Sequence, residues 1–450
     1  MWRKGKIKKT GTPTFQCMNP NAAGVDVGAM EIYIAVPADR DPQPVRCFST
    51  FTEDLHAAAD RLKASKIETV AMESTGVYWI PLFQILEERG FTVLLVNARH
   101  VKNVPGRKSD VSDCQWLQYL YSVGLLRGSF RPDQEVCTVR SILRHRDSLV
   151  QMAATHVQHM QKALDQMNLQ LHHVIADITG FTGLAIIEAI LAGERDPHAL
   201  AALRDGRIKA SADTIAKSLV GDYRREHLFT LGQSLKAFRH YQELIGGCDR
   251  EIEKSLQTFE SKVDPESPLP KSLTDVKRLK GDPRFELRSH LYRVFGVDLT
   301  QIPGVNVLTA QTLLAEIGPD LSRFASAPTF TSWLGLCPDN RVSGGKVLSV
   351  KTRKVKNRAA TALRIAATGL YRSQSYLGHY FRRMRAKLGA PKAITAAAHK
   401  IARIVYLMLT TRRPYEETIW VKNEAANRVR VEARIRKQAR DLGFQLVAAS

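Results

Sequence analysis

The feature that most constrains this chain is a heptad seam. Leu143, Val150, Val157, Leu164 and Leu171 recur every seven residues, and Ala153, Met160, Met167 and Val174 fill the intervening positions, so each seam position from Val150 to Val174 is apolar. Such a stripe commits the segment to a long helix with a helical partner, because it would otherwise be an extended sticky surface. The methionines read as core filling, since their spacing is that of the seam. A shorter seam through Ile245, Cys248, Ile252 and Phe259 offers a partner, and the helix-like stretch from Phe181 to Arg204 lies between the two. An antiparallel helical arm would bury all three.

Ahead of the seam the pattern is different. Short β-rich runs are expected at Gly24 to Val27, Glu31 to Val36 and Val45 to Phe48, then a helix over Glu53 to Ala64, a strand over Thr69 to Met72, a helix over Tyr78 to Arg89, a strand over Phe91 to Val96 and a helix over Val111 to Tyr121. The order βββαβαβα is that of a ribonuclease-H-like α/β domain, with a mixed sheet and helices on both faces. Beyond the arm, Val263 to Asp282 reads as a linker. Gln301-Ile-Pro-Gly-Val305 then resembles a helix-hairpin-helix turn, whose backbone N–H groups can meet a phosphate, although a Pro-Gly turn also serves as an ordinary helix connection. A chain of 450 residues needs several cores. The expected divisions are a basic tail (1–22), an α/β domain (23–137), an all-α arm with its linker (138–282), a mainly helical domain (283–415) and a charged tail (416–450).

Charge narrows the partners. Lys and Arg number 66 against 44 Asp and Glu, a formal net charge of +22 that attracts a polyanion. The excess is concentrated: no acidic residue lies between Asp339 and Glu416, while Arg341 to Arg413 holds 18 Lys and Arg. A single-sign run of this length repels itself unless nucleic acid neutralises it. Ala359 to Leu370 and Ala393 to Leu409 carry apolar residues at helical spacing, which excludes a disordered basic tail. The basic N-terminus lacks the apolar core of a secretory signal, and the most apolar stretch, Gly183 to Gly193, is too short to span a bilayer, so a cytoplasmic, nucleoid-associated protein is expected. The six cysteines are scattered without a C-x-x-C pair, which argues against a disulfide framework or a structural zinc site. His172 and His173 point apart if they sit on one continuous helix, and with no acidic partner at ligand spacing they read as structural.

Four carboxylates stand out. Asp26 lies in the first strand between Val25 and Val27, Glu73 follows the strand Thr69 to Met72, and Asp110 and Asp113 are three apart at a helix start. In this fold the two strands are neighbours and the last helix packs across them, so the four can converge. Such a cluster is tolerable where cations fill it. Oxygen ligands suit magnesium or manganese, and two such ions support phosphoryl transfer. Asp110 taken alone reads equally well as an N-cap, with Asp113 favouring the positive helix end, but Asp26 on a buried strand has no cap to make.

These residues sit in motifs. Gly24-Val-Asp-Val-Gly28, Met72-Glu-Ser-Thr-Gly-Val-Tyr-Trp79 and Lys108-Ser-Asp-Val-Ser-Asp113 resemble the three motifs of DEDD-type insertion-sequence transposases, whose N-terminal domain is similar to the RuvC junction resolvase. Trp333-Leu-Gly-Leu-Cys-Pro338, Ser343-Gly-Gly-Lys346, Leu363-Arg-Ile-Ala-Ala367 and Tyr376-Leu-Gly-His-Tyr-Phe-Arg-Arg383 are similar to that family's C-terminal domain. The resemblance implies that Asp26, Glu73, Asp110 and Asp113 bind divalent metal. It implies that a serine, here Ser343, attacks the DNA backbone to leave a covalent protein–DNA linkage. It also implies a tetramer that joins the acids of one subunit to the serine of another, and a structured non-coding bridge RNA that selects donor and target DNA. Lys346, Lys351, Arg353, Lys354, Lys356, Arg358 and Arg364 are the cations expected on nucleic acid.

Read from its own residues, Ser-Gly-Gly is more often a plain surface turn, and a serine hydroxyl needs activation that the acid cluster would have to supply. The chain departs from the family where Ala29 follows Gly28 and where Arg353-Lys-Val-Lys-Asn-Arg358 replaces a Lys-Arg-Gly-Asn turn. Two competing readings remain at this stage. One is a RuvC-like nuclease that uses water, for which Ser343 is dispensable; the other is a non-enzymatic nucleic-acid-binding assembly protein, in which the acids serve structure.

Overall fold

The computed structural model describes residues 16–74, 76–97, 110–264, 266–272 and 281–444. Most of the basic N-terminal tail, residues 75 and 265, residues 98–109 with the first two positions of the third acidic motif, residues 273–280 of the expected linker and the last six residues lie outside that set. Two compact units emerge, Met1–Arg131 and Pro132–Ser450.

The first unit is built on a five-stranded sheet of order β3-β2-β1-β4-β5. β1 (Ala22–Val27), β2 (Glu31–Ala35) and β3 (Val45–Ser49) form an antiparallel meander, while β4 (Thr69–Glu73) and β5 (Thr92–Val96) run parallel to β1. Parallel strands need crossovers, and these are α1 (Thr52–Ala64) and α2 (Trp79–Glu88). Alternation along the strands sends Ala23, Val25, Val27, Ile32, Ile34, Val70 and Met72 to one face, where Leu55, Ala58, Leu62, Leu82 and Leu86 of these helices cover them. α3 (Asp110–Ser122) packs on the opposite face. A buried ion pair ties the meander to α1: Arg61 Nε donates to Asp41 Oδ2 at 3.0 Å, and its other nitrogens donate to the carbonyls of Ile34, Gln43 and Pro44.

Among its described residues the second unit is helical apart from one small hairpin. α4 (Gln134–Gln166) and α6 (Arg225–Gln257), 33 residues each, lie antiparallel. Arg146 Nε meets Asp249 Oδ1 at 2.6 Å, and farther along the His156 ring stacks on Tyr241 at 5.4 Å. Leu143, Leu149, Ala153, Met160 and Leu164 are buried between them, with Val150 and Val157 half-buried. The base of α4 is held by Arg140, whose Nε donates to Ala315 O at 2.7 Å, and by Arg144, paired with Glu316 at 2.9 Å.

The seam does not continue as one helix to Val174. α4 ends at Gln166, Asn168 adopts a left-handed conformation (φ 55°), and Leu171–Val174 forms a separate short helix. At the reversal Met167 O accepts from Asp222 N at 2.9 Å and Gln170 N donates to Ser218 O at 2.8 Å, which satisfies backbone groups that the helix end would otherwise leave open. Likewise the stretch from Phe181 to Arg204 is two helices. α5 (Phe181–Ala192) stops at Gly193 with φ 108°, and a second begins at Pro197, capped by the Asp196 carboxylate.

Around Gln301 to Val305 the connection is longer than a tight turn. α7 (Leu287–Phe295) ends on left-handed Gly296, a 3-10 turn covers Leu299–Gln301, and α8 (Val307–Ile317) starts where the Asn306 side chain accepts from Thr309 N at 2.8 Å. The rest comprises α9 (Ala327–Trp333), α10 (Arg358–Thr368), α11 (Tyr376–Leu388), α12 (Ala390–Thr411) and α13 (Glu417–Asp441). α12 is long and apolar enough to cross a membrane, yet half of that stretch is buried within this unit, where it packs on α9, α10 and α11.

Candidate active site

Register decides where the acids stand. β1 and β4 are parallel with Val25 beside Met72, so the next residues, Asp26 and Glu73, fall side by side on the opposite face of the sheet. Glu73 is the last residue of β4 rather than following it. Their face is the one α3 covers. Tyr121 and Thr69 share a hydrogen bond between hydroxyls, Gln118 Nε2 donates to Ala22 O at 3.3 Å, and Cys114 lies over Gly24. The sequence of contacts runs α3 backwards along the strands, so its first turn reaches their C-terminal ends, where Asp26 and Glu73 are.

Gly24 makes this approach possible. A Cβ there would stand 2.2 Å from Cys114 O and 2.3 Å from Gln118 N, both backbone atoms. Asp113, half-buried, is thereby delivered beside Asp26, and both carboxylates act on the Cys114 thiol. Burial chiefly, then repulsion from Asp26 and Asp113, push that thiol up to about 12, against an opposing hydrogen bond from the Gln115 backbone. Cys114 therefore stays a neutral thiol at physiological pH. Asp110 opens α3, and its side chain lies outside the described residues.

Ser343 belongs to the other unit. It ends β6 (Arg341–Ser343), faces Lys346 at the start of β7 (Lys346–Ser349), and is joined to it through Gly344 and Gly345 at φ 53° and 77°. Two consecutive left-handed residues make the tight hairpin turn whose twist matches the strands, and glycine occupies such positions without steric cost. The hairpin is exposed from Arg341 to Leu348, including Val342, Val347 and Leu348, with only Ser349 half-buried. Its base is tied down by Asp339 N donating to Lys351 O at 2.9 Å.

Lys346, Lys351, Arg353, Lys354, Lys356 and Arg358 are exposed and Arg364 is half-buried. Three of these arginines also serve the fold: Arg353 donates to Ser332 O, Arg358 pairs with Asp147 at 3.2 Å, and Arg364 reaches Gly335 O at 3.5 Å. A second cationic group was not singled out from sequence as a binding set. On α11, Arg382 donates to Ser373 O at 2.6 Å, Arg385 lies over the Tyr371 ring at 4.5 Å and Arg383 over Tyr380 at 5.8 Å. The run of tyrosines followed by arginines, Tyr376 and Tyr380 and then Arg382, Arg383 and Arg385, is the sequence signal for it.

Two family models match in the places these features occupy. One, described as a transposase of the DEDD type, covers residues 23–169, and the other, described as the transposase IS116/IS110/IS902 family, covers residues 298–382. Together they take in just over half of the chain. The chain belongs to the IS110-type transposase family. A curated protein of Sinorhizobium fredii, named "Putative transposase y4pF/y4sB", is 33% identical over 129 residues, which cover 26% of this chain and 32% of that relative. The chain thus spans about a third of the length of the curated relative it matches. In this IS110-type chain the first family match contains Asp26, Glu73, Asp110 and Asp113, and the second contains Ser343 with its glycine turn.

Proposed function

We propose that this protein is a DNA transposase that cleaves and rejoins DNA, with Asp26, Glu73, Asp110 and Asp113 as its divalent-metal ligands and Ser343 as its nucleophile. The observation that carries the reading is the placing of Asp26 beside Glu73 at adjacent strand ends, with the first turn of α3 laid over them. The donor set fits a hard cation. It is all carboxylate oxygen, the donor type that magnesium and manganese prefer. Bound magnesium or manganese would neutralise charge on the phosphate under attack.

The remaining steps fall to side chains. The exposed hydroxyl of Ser343 forms an Oγ–P bond as the P–O bond to one deoxyribose breaks, and the hydroxyl proton leaves with the departing oxygen. A serine phosphodiester keeps the energy of the broken bond, so a strand hydroxyl can reverse the step and rejoin DNA without an external energy source. Lys346, Lys351, Lys354 and Lys356 suit backbone phosphates, as do those arginines whose donors are not wholly taken up by the fold. Family resemblance extends the proposal to a bridge RNA guide, donor and target DNA, and a tetramer in which acids and serine come from different subunits.

The test is Ser343→Ala in the full chain, with a plasmid carrying the element ends, RNA from the flanking element and Mg2+. Recombination and the covalent adduct trapped under denaturing conditions should vanish while DNA binding persists. Recombination by the alanine variant would remove the serine assignment. Free ends without an adduct from the unaltered protein would favour the hydrolytic reading.

A further inference from the structure

At the far end of the helical arm the chain reversal creates a constellation that a continuous helix would not. Asp165 sits in the last turn of α4, and the left-handed Asn168 folds the short helix Leu171–Val174 back toward it. His172 and His173 come along. Their rings stand 4.1 Å apart, and one ligand-type atom from each of Asp165, His172 and His173 lies within 4.8 Å of the others.

We propose that Asp165, His172 and His173 form a binding site for a borderline transition-metal ion of the zinc class, at the turn that closes the arm. Two imidazoles and one carboxylate are the donors such ions prefer, and magnesium does not favour them. The spacing also fits. In a tetrahedral site with bonds of about 2.0–2.1 Å, neighbouring donor atoms stand about 3.4 Å apart. His172 Nε2 and Asp165 Oδ1 are 3.5 Å apart, a fair ligand separation but too long for a good hydrogen bond. The ring's other nitrogen, Nδ1, is buried with no hydrogen-bond partner among the described residues.

The backbone beneath is held in place. Leu164, Met167, Leu169 and Leu171 are fully buried around the ligands, so little ordering remains to be done when a cation arrives. Half-exposed Asp165 and exposed His173 supply the small adjustment that closes the set. Three protein ligands leave a fourth position for water.

The test uses untagged full-length protein titrated with Co2+ in millimolar Mg2+, which keeps oxygen-only sites occupied. The unaltered chain should bind one equivalent with the visible absorption of tetrahedral cobalt, and Zn2+ should displace it and raise Tm. His172→Ala should weaken binding by at least about 100-fold, more than the loss of an outer-shell partner alone. His173→Gln, an exposed change that spares the core, should weaken it comparably and abolish the Zn2+ shift in Tm. Asp26→Asn should leave it intact. Absence of cobalt binding by the unaltered chain, retention in both histidine variants, or loss in Asp26→Asn would each overturn the proposal.

Discussion

The end of the sheet and the tip of the β6–β7 hairpin carry the two halves of the proposed chemistry, and they are built on opposite plans. Asp26, Glu73 and Asp113 are positioned by buried backbone, through strand register, a helix pressed on Gly24, and a core on the far side of the sheet. Ser343 stands in solvent on a two-residue turn, with no core beneath it. A metal centre must hold like charges in place before the substrate arrives, which demands a rigid frame. A nucleophile brought to a large polyanionic substrate needs reach and clearance instead. Rigidity and presentation are thus divided between the two units.

The contrast can be broken most directly at Asp26. Asp26→Asn preserves size and strand propensity, so the fold should be unchanged by circular dichroism while metal-dependent strand cleavage falls by at least about a thousandfold. Cleavage near the original level would end the assignment of the sheet end as the reaction centre.

Two glycine substitutions sharpen the same point. Gly24→Ala drives a Cβ into the backbone of α3, and urea denaturation should show a loss of about 1–3 kcal/mol together with lost cleavage, since α3 carries Asp113 away as it yields. Stability equal to that of the unaltered chain would mean that α3 is not pressed on β1 as described. Gly345→Val places a branched residue at φ 77°, a local strain of about 1–3 kcal/mol, yet nothing lies within 4 Å of that position. Because the exposed hairpin can relieve that strain by opening locally without disturbing the core, global Tm should move little while covalent adduct formation drops about tenfold. An unchanged adduct yield would separate the hairpin's shape from the chemistry of Ser343.

The smallest expected effect is a pH slope in the helical unit. Burial chiefly, then Arg403 and Lys400, hold His399 below its ordinary value near 6.5, and burial with Arg293 does the same for His290 against the pull of Glu253. Both favour the neutral ring in the fold. The unfolded chain takes up protons first as pH falls below 6.5, so stability present at pH 7.5 should decline toward pH 5. His399→Gln should flatten the slope of Tm against pH in that window, and an unaltered slope would exclude His399 as its source.

Much of the sheet unit was legible in the sequence, because period-two alternation and helix-length apolar runs survive in any strand or helix that buries one face. Asp26 could be put on a strand for that reason. Its neighbour could not be read locally: that Glu73 lies beside it depends on parallel register, and that Gly24 must lack a side chain depends on a helix arriving much later in the chain. The seam taught the converse lesson. Heptad spacing runs on through Leu171 and Val174 although the helix stops at Gln166, because after the turn at Asn168 Leu171 is still buried and Val174 half-buried by a different route. The dismissal of His172 and His173 assumed an unbroken helix, and the reversal that ends the helix is what supplies Asp165 as their acidic neighbour.

The ion pair between Arg146 and Asp249 also governs how the arm behaves as a machine part. Each of its helices is about 50 Å long, and two greased rods of that length would slide past one another by a heptad, about 10 Å, with little change in apolar contact. Sliding here would strand an arginine and an aspartate in hydrocarbon, at several kcal/mol. The pair is a pin through both rods. Arg146 also donates to Gly281 O at 2.8 Å, which fastens the pin to the segment leading into α7. With Arg140 and Arg144 bolted to the end of α8, the root becomes a fulcrum, and a push on the tip arrives there as torque instead of being absorbed along the shaft.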